Sequence, residues 1–177
     1  MSQKFLYGTR FRTKINALKC RYVETNQLYK KYIILDIDQP GSAHWWEDRY
    51  LPPPTIIVVN PINTHCHYLY ELKTPVYYTE DARRAPQRFY ENIDSALTTA
   101  LSADLGYVGL FVKNPLHESW RVIKHNATYD LEDFNEYIDL QHYKKKQKFE
   151  AGLEGRNTTL FHNLRRWAYK EVKQHGS

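Results

Sequence analysis

The sequence predicts an α+β domain, and three observations predict it. Short runs rich in β-branched and aromatic residues are closed by Pro, Gly and Asn, as strands are. Two of these runs are separated by only a short Asn- and Pro-containing segment, which suits a hairpin. Between the strand-like runs stands one long stretch whose apolar residues recur every four positions, which suits a helix packed on the strands.

In chain order, residues 13–31 carry Ile15, Leu18, Tyr22 and Val23 at helical spacing with Lys and Arg elsewhere, and predict an amphipathic basic helix. Residues 32–38, YIILDID, are too short and too β-branched for a helix and end at Gln39-Pro40-Gly41, so a central strand is expected. Residues 42–54 read as a polar and aromatic loop ending in three prolines. Strands follow over residues 55–60 and 66–72, joined through Asn60-Pro61-Ile62-Asn63-Thr64. Pro86 can open a helix, because its missing N–H costs nothing there, and Phe89, Ile93, Leu97 and Leu101 give that helix a core-facing stripe. Residues 107–112 and 120–124 read as two more strands. Thr128 or Asp130 can cap a helix from about residue 131 to 146, ending in three lysines. A first domain is therefore expected over residues 1–146. Residues 147–177 follow as a glycine-containing linker and a last helix, capped by Asn157 or Thr158, with Leu160, Phe161, Leu164, Trp167 and Ala168 apolar beside Arg165 and Arg166.

At 177 residues the chain suits one compact domain with a modest appendage. A hydrophobic share of 42% argues against wholesale disorder, and apolar runs such as residues 55–59 are far shorter than a membrane span, so no membrane partner is expected. Residues 1–7 lack the pattern of a secretory signal, and the expectation is a cytoplasmic protein. Cys20 and Cys66 form no CxxC and no disulfide framework; Cys66 reads as a small buried strand residue. The net charge of +5, with Lys and Arg concentrated in residues 4–31 and 144–173, favours a phosphate polymer as partner. Among 15 tyrosines and four tryptophans, Trp45 and Trp46 lie just beyond the central strand, where they could stack a base or pack in the core.

Chemistry concentrates at a few positions. Residues two apart on a strand share a face, so Asp36 and Asp38 point together while Ile33, Leu35 and Ile37 enter the opposite core. Two carboxylates on a rigid element can grip hard cations; the bland alternative is one exposed Asp and one turn former. Of His65 and His67, only one is expected to share the face of the acids. His67, which continues into the strand, is the better anchored, and could donate to a nucleotide phosphate or simply be satisfied by packing. Asp104 precedes the strand YVGLFV and Lys113 ends it. The first reads as a turn former; the second could neutralise a phosphate or be an exposed strand-end lysine, and the order of the elements says more than either residue.

The order of these features, hhhDhD on a strand, a hairpin to a strand beginning with His, a long helix, then a boundary Asp before a strand with a basic end, resembles the archaeo-eukaryotic primase superfamily. The stretches YGTRFRTK, ILDID, NPINTHCHYLYEL, SADLGYVGLFVKNP and ATYDLEDFNEYIDL look like the Rep initiators of colicin-E-type plasmids, over most of residues 5–143. The tail GRNTTLFHNLRRWAY is similar to the start of the helical primase C-terminal module. The resemblance implies an RRM-like antiparallel sheet with packed helices. It implies metal ligation by Asp36, Asp38 and Asp104, His67 on the incoming nucleotide, and phosphate contacts from Asn63, His65 and Lys113. Relatives of this kind carry a further origin-binding region, which residues 1–177 do not include.

The expected activity is that of a plasmid replication initiator primase. Mg²⁺ or Mn²⁺ ions on the three aspartates would position two nucleoside triphosphates on a single-stranded DNA template, and a host DNA polymerase is a further expected partner. One rival is a rolling-circle nickase, with His65-Cys66-His67 as metal motif and Tyr137 or Tyr143 as nucleophile. Another is a nonenzymatic DNA-binding module, which leaves three acids beside one another unexplained.

Overall fold

The computed structural model describes residues 13–140. The chain divides into two compact units, Met1–Ile138 and Asp139–Ser177. Tyr143, the three lysines at 144–146, the linker and the final helix expected over residues 147–177 lie outside the described residues.

The described residues of the first unit form seven strands and three helices: α1 (Lys14–Leu18), β1 (Tyr22–Glu24), β2 (Tyr29–Ile37), α2 (Trp45–Asp48), β3 (Ile56–Val59), β4 (Cys66–Tyr77), α3 (Arg84–Ala100), β5 (Phe111–Lys113), β6 (Arg121–Lys124) and β7 (Thr128–Tyr129). Single stretches of 3-10 helix stand at Ser42–His44 and Leu131–Glu136. The main sheet runs β2-β4-β3-β6, antiparallel throughout, and short β7 adds a parallel bridge to β4 at Glu71 and Leu72. β1 and β5 pair with each other as a separate two-stranded ribbon, Tyr22 opposite Lys113. The expected α+β class, antiparallel strands with helices laid on them, is what the chain forms.

Alternation along β2 and β4 decides which face is which. Ile33, Leu35 and Ile37 stand opposite Tyr70, Tyr68 and Cys66, and all six are buried. The Tyr70 ring meets Phe134 of the second 3-10 stretch edge-on at 5.6 Å, and α3 packs against that stretch as well as against β2 and β4. Ser42 and Ala43 close the lower end, with the Tyr68 hydroxyl donating to the Ser42 carbonyl. The opposite face carries Ile34, Val58 and Leu69, covered by Val112 of the ribbon, by Trp120 and, at the margin, by Tyr22, Val23 and Tyr107. A second layer of strands therefore lies over the face on which Asp36 projects.

Several expectations are corrected. The basic helix over residues 13–31 shrinks to α1, none of whose residues is buried. Tyr22 and Val23 instead pair with β5, and an Asx turn, in which the Asn26 Oδ1 accepts the Leu28 N–H at 2.9 Å, breaks the helical register before β2 begins at Tyr29. The loop at 42–54 contains α2 and a 3-10 turn. α3 begins at Arg84, with Pro86 at its third position, where the backbone N–H would lack a helical partner anyway. Ile93, Leu97 and Leu101 hold the core as expected, but Phe89 is only half-buried, and Tyr90 and Ala96 complete the stripe. The strand expected at 107–112 is reduced to Phe111–Lys113, since Gly109 at φ 65° turns the preceding chain out of extended geometry. The helix from 131 is, within the described residues, a 3-10 stretch. Its cap is Asp130, reciprocated by Asp133 in a capping box, and not Thr128, which lies in β7.

Candidate active site

Asp36 and His67 are direct cross-strand partners in the β2–β4 ladder, so their side chains leave the sheet on one face and meet. The His67 Nε2–H donates to Asp36 Oδ1 at 2.9 Å. Its other ring nitrogen, Nδ1, accepts the backbone N–H of Lys113 at 3.2 Å. An imidazole nitrogen that accepts cannot carry the proton, so His67 is held as the Nε2–H tautomer, aimed at the acid. The ring is 2% exposed and lies 5.4 Å from the tilted ring of Tyr107. With both nitrogens engaged inside the protein, His67 orients Asp36 in this conformation.

Lys113 is no exposed strand-end lysine. It is 4% exposed, and its Nζ reaches Asp36 Oδ1 at 3.4 Å. Burial by itself raises the Asp36 carboxyl; the hydrogen bond from His67 and the ammonium of Lys113 outweigh it and hold the group below the ordinary carboxylate value. Among the described residues, the hydrogen bonds made to the Asp36 carboxylate use Oδ1.

One step further along β2, Asp38 repeats the arrangement at the surface. The His65 Nδ1 donates to Asp38 Oδ1 at 3.1 Å, with the Asp38 side chain 61% exposed. Both histidines therefore stand with an aspartate, correcting the expectation that only one would; positions 65 and 67 are two apart in an extended segment and share its face. Asn63 serves the turn before them: its Oδ1 accepts the His65 N–H at 3.1 Å. Thr64, at φ 58°, takes the Gly41 N–H on its hydroxyl at 2.9 Å and so ties this turn to the end of β2.

Asp104 arrives from the segment after α3. Its backbone N–H donates to the Asp36 carbonyl at 2.8 Å, which extends the free edge of β2. Its carboxylate turns back, Oδ1 accepting the Gly106 N–H at 2.8 Å. The three acids thus come to one end of the sheet without closing into a cage. Among the described residues no group of three His, Cys, Asp or Glu side chains is gathered so as to hold a metal ion. The donor set nevertheless fits a hard divalent cation in kind: three carboxylates, two on the same face of one strand, with no donor to the second oxygen of Asp36 among the described residues.

Sequence reasoning missed some of the frame. Asn114 is buried; its Nδ2 donates to the carbonyls of Leu18 and Cys20 at 2.6 and 2.8 Å, and its Oδ1 accepts the Leu116 N–H. It clamps the chain before β1 to the turn after Lys113, and the Asn-Pro pair at 114–115 was the only signal. Tyr107, read as a strand residue, packs on His67, and its flanking Gly106 and Gly109 were the signal for a loop. Trp45 and Trp46 are both engaged within the protein. Arg49 stacks over Trp45 at 4.1 Å, and Trp46 meets His125 edge-on at 5.1 Å. Cys66 is buried in β4 as expected, and burial pushes its thiol up to about 11, out of the reactive range.

The profile of the Replicase family matches residues 1–138, which includes every one of these side chains. The chain belongs to the Replicase family. Among solved structures, this Replicase-family chain is similar to the AEP domain of the cyanophage S-2L primase-polymerase (PrimPol), at 13% identity and a TM-score of 0.48. The match covers 63% of this chain and 62% of that one, so the chain spans less than two thirds of the structure it resembles. No curated protein matches this Replicase-family sequence.

Proposed function

We propose that this Replicase-family domain is a primase of plasmid replication, joining nucleotides on a single-stranded DNA template in the cytoplasm. The observation that carries the reading is the shared face of Asp36 and Asp38 at the end of β2, each met by a histidine from β4, with Asp104 bonded to the same strand edge. Asp36, Asp38 and Asp104 would hold Mg²⁺ or Mn²⁺, which, when bound, supplies charge neutralisation for the polyphosphate and acidifies the attacking hydroxyl. The protein's own groups do the rest. His67 and the Lys113 backbone fix the direction of the Asp36 carboxylate, and the depressed affinity of Asp36 for protons keeps it anionic at neutral pH. The half-buried His65 and the exposed Asn63, beside Asp38, are available to the phosphates of an incoming nucleotide. A host DNA polymerase would extend the product.

The nickase reading fares worse on one observation. Tyr137 follows the 3-10 stretch whose Phe134 packs on Tyr70, so it belongs to the layer on the face opposite His67. The noncatalytic DNA-binding reading leaves the pairing of Asp36 with the buried His67 without a task.

The test is incubation with single-stranded template, labelled nucleoside triphosphates and Mn²⁺. Wild type is compared with Asp36→Ala plus Asp38→Ala and with Tyr137→Phe plus Tyr143→Phe. Loss of oligonucleotide synthesis in the aspartate variant alone is expected, whereas a covalent protein–DNA adduct that disappears only in the tyrosine variant would overturn the reading.

A further inference from the structure

The pairing of Lys113 with Asp36 is built for exchange. A lysine ammonium taken out of water is unfavourable unless an anion stands beside it, and here the side chain is 5% exposed with Asp36 Oδ1 at 3.4 Å. The main chain of Lys113 is fixed twice, by its N–H on His67 Nδ1 and by the ladder that sets it opposite Tyr22. The four-carbon stem joins this fixed main chain to the ammonium on Asp36. A lysine is also the cation suited to giving way: it holds a carboxylate as a point charge, where an arginine would lock both oxygens in a fork. The Asp36 oxygen that Lys113 and His67 leave free, Oδ2, belongs to the same carboxylate, so a divalent ion bound there would face the ammonium across one carboxyl group.

We propose that Lys113 is the resident counter-cation of Asp36, occupying electrostatically the place of a divalent ion and giving way when the ion binds. The inference rests on the reading of Asp36 as a metal ligand. In the metal-free protein Lys113 keeps the half-buried acid neutralised and correctly aimed. On metal entry its ammonium moves off the carboxylate, still tethered at the site by β5. The lysine thus weakens metal binding as it stabilises the empty site.

Binding of Mn²⁺ to the full chain, followed by the loss of the free-ion electron paramagnetic resonance signal, tests this without any turnover. Lys113→Met keeps the length of the side chain and removes its charge; removing a cation next to the ligand is expected to tighten Mn²⁺ binding about tenfold or more. Asp36→Asn is expected to weaken it at least as much. Equal or weaker binding in Lys113→Met, with Asp36→Asn still impaired, overturns the counter-cation and leaves the metal reading standing. Undiminished binding in Asp36→Asn overturns the metal reading, and the proposal with it. Should Lys113→Met fail to fold, the wild-type chain decides: acylation of the Lys113 amine, read by peptide mass spectrometry, is expected to speed up several-fold on adding Mn²⁺. An unchanged or slower rate overturns the proposal.

Discussion

Asp104 is joined to Asp36 through the main chain, its N–H on the Asp36 carbonyl at 2.8 Å, although 68 positions separate them in sequence. The bond uses the side of β2 that carries no further strand among the described residues, and so places the segment after α3 against the same strand that bears the other two acids. Backbone and carboxylate have separate tasks at this residue: the N–H fixes the location, and the side chain shapes the turn through Gly106.

That separation can be tested by Asp104→Asn. The amide keeps the N–H bond to Asp36 and retains an oxygen for the Gly106 N–H, so stability measured by urea unfolding should stay within about 0.5 kcal/mol of wild type. Nucleotide incorporation should fall by roughly a hundredfold if Asp104 supplies charge to the reaction. Retained incorporation would show that Asp104 is a turn former only.

His67→Phe keeps the ring volume and removes both nitrogens. It strands the Lys113 N–H and takes the aligning donor from Asp36, two losses in a buried place. A destabilisation of about 1–3 kcal/mol is expected in urea unfolding. If His67 positions the acid, kcat should drop further than KM rises. A variant with wild-type stability and kcat would contradict the positioning role.

Asp94, on α3, supplies the pH dependence. Burial, with help from Glu91 and against the opposing charge of Lys30, pushes its carboxyl up to about 6. Tyr78, Tyr90 and Tyr107 also surround it. A carboxyl whose proton affinity is higher folded than unfolded favours the fold while protonated. Its contribution is complete below the unfolded value near 3.8 and is lost as pH rises through about 6. Asp94→Asn should therefore gain about 1–2 kcal/mol over wild type at pH 8 and lose that advantage at pH 4, as read by denaturant midpoints at the two values. An advantage independent of pH would contradict the assignment.

Much of the site was legible because strands give simple geometry. The i, i+2 spacing of Asp36 and Asp38 put both on one face, and the turn residues 60–64 announced the β3–β4 hairpin whose second strand carries His67. What was not legible depended on partners distant in sequence. Tyr22 and Val23 have helical spacing to Ile15 and Leu18, yet their ladder is with residues 112 and 113, and tertiary pairing overrode local periodicity. Lys113 reads as a surface residue until β1 is known to lie beside it. The carboxylate of Asp104 was expected to face a metal, and a local Asx bond to Gly106 competes for it.

β6 ends the main sheet on the side away from Asp36, and one of its flanks carries no further strand among the described residues. Its sequence is Arg-Val-Ile-Lys, with Arg121 and Lys124 exposed at the two ends and Val122 and Ile123 half-buried between them. Unclosed strand margins invite sheet growth from one molecule to the next, and cations placed along them oppose it through mutual repulsion. Val122 and Ile123 thus sit between two charged sentinels that oppose such growth.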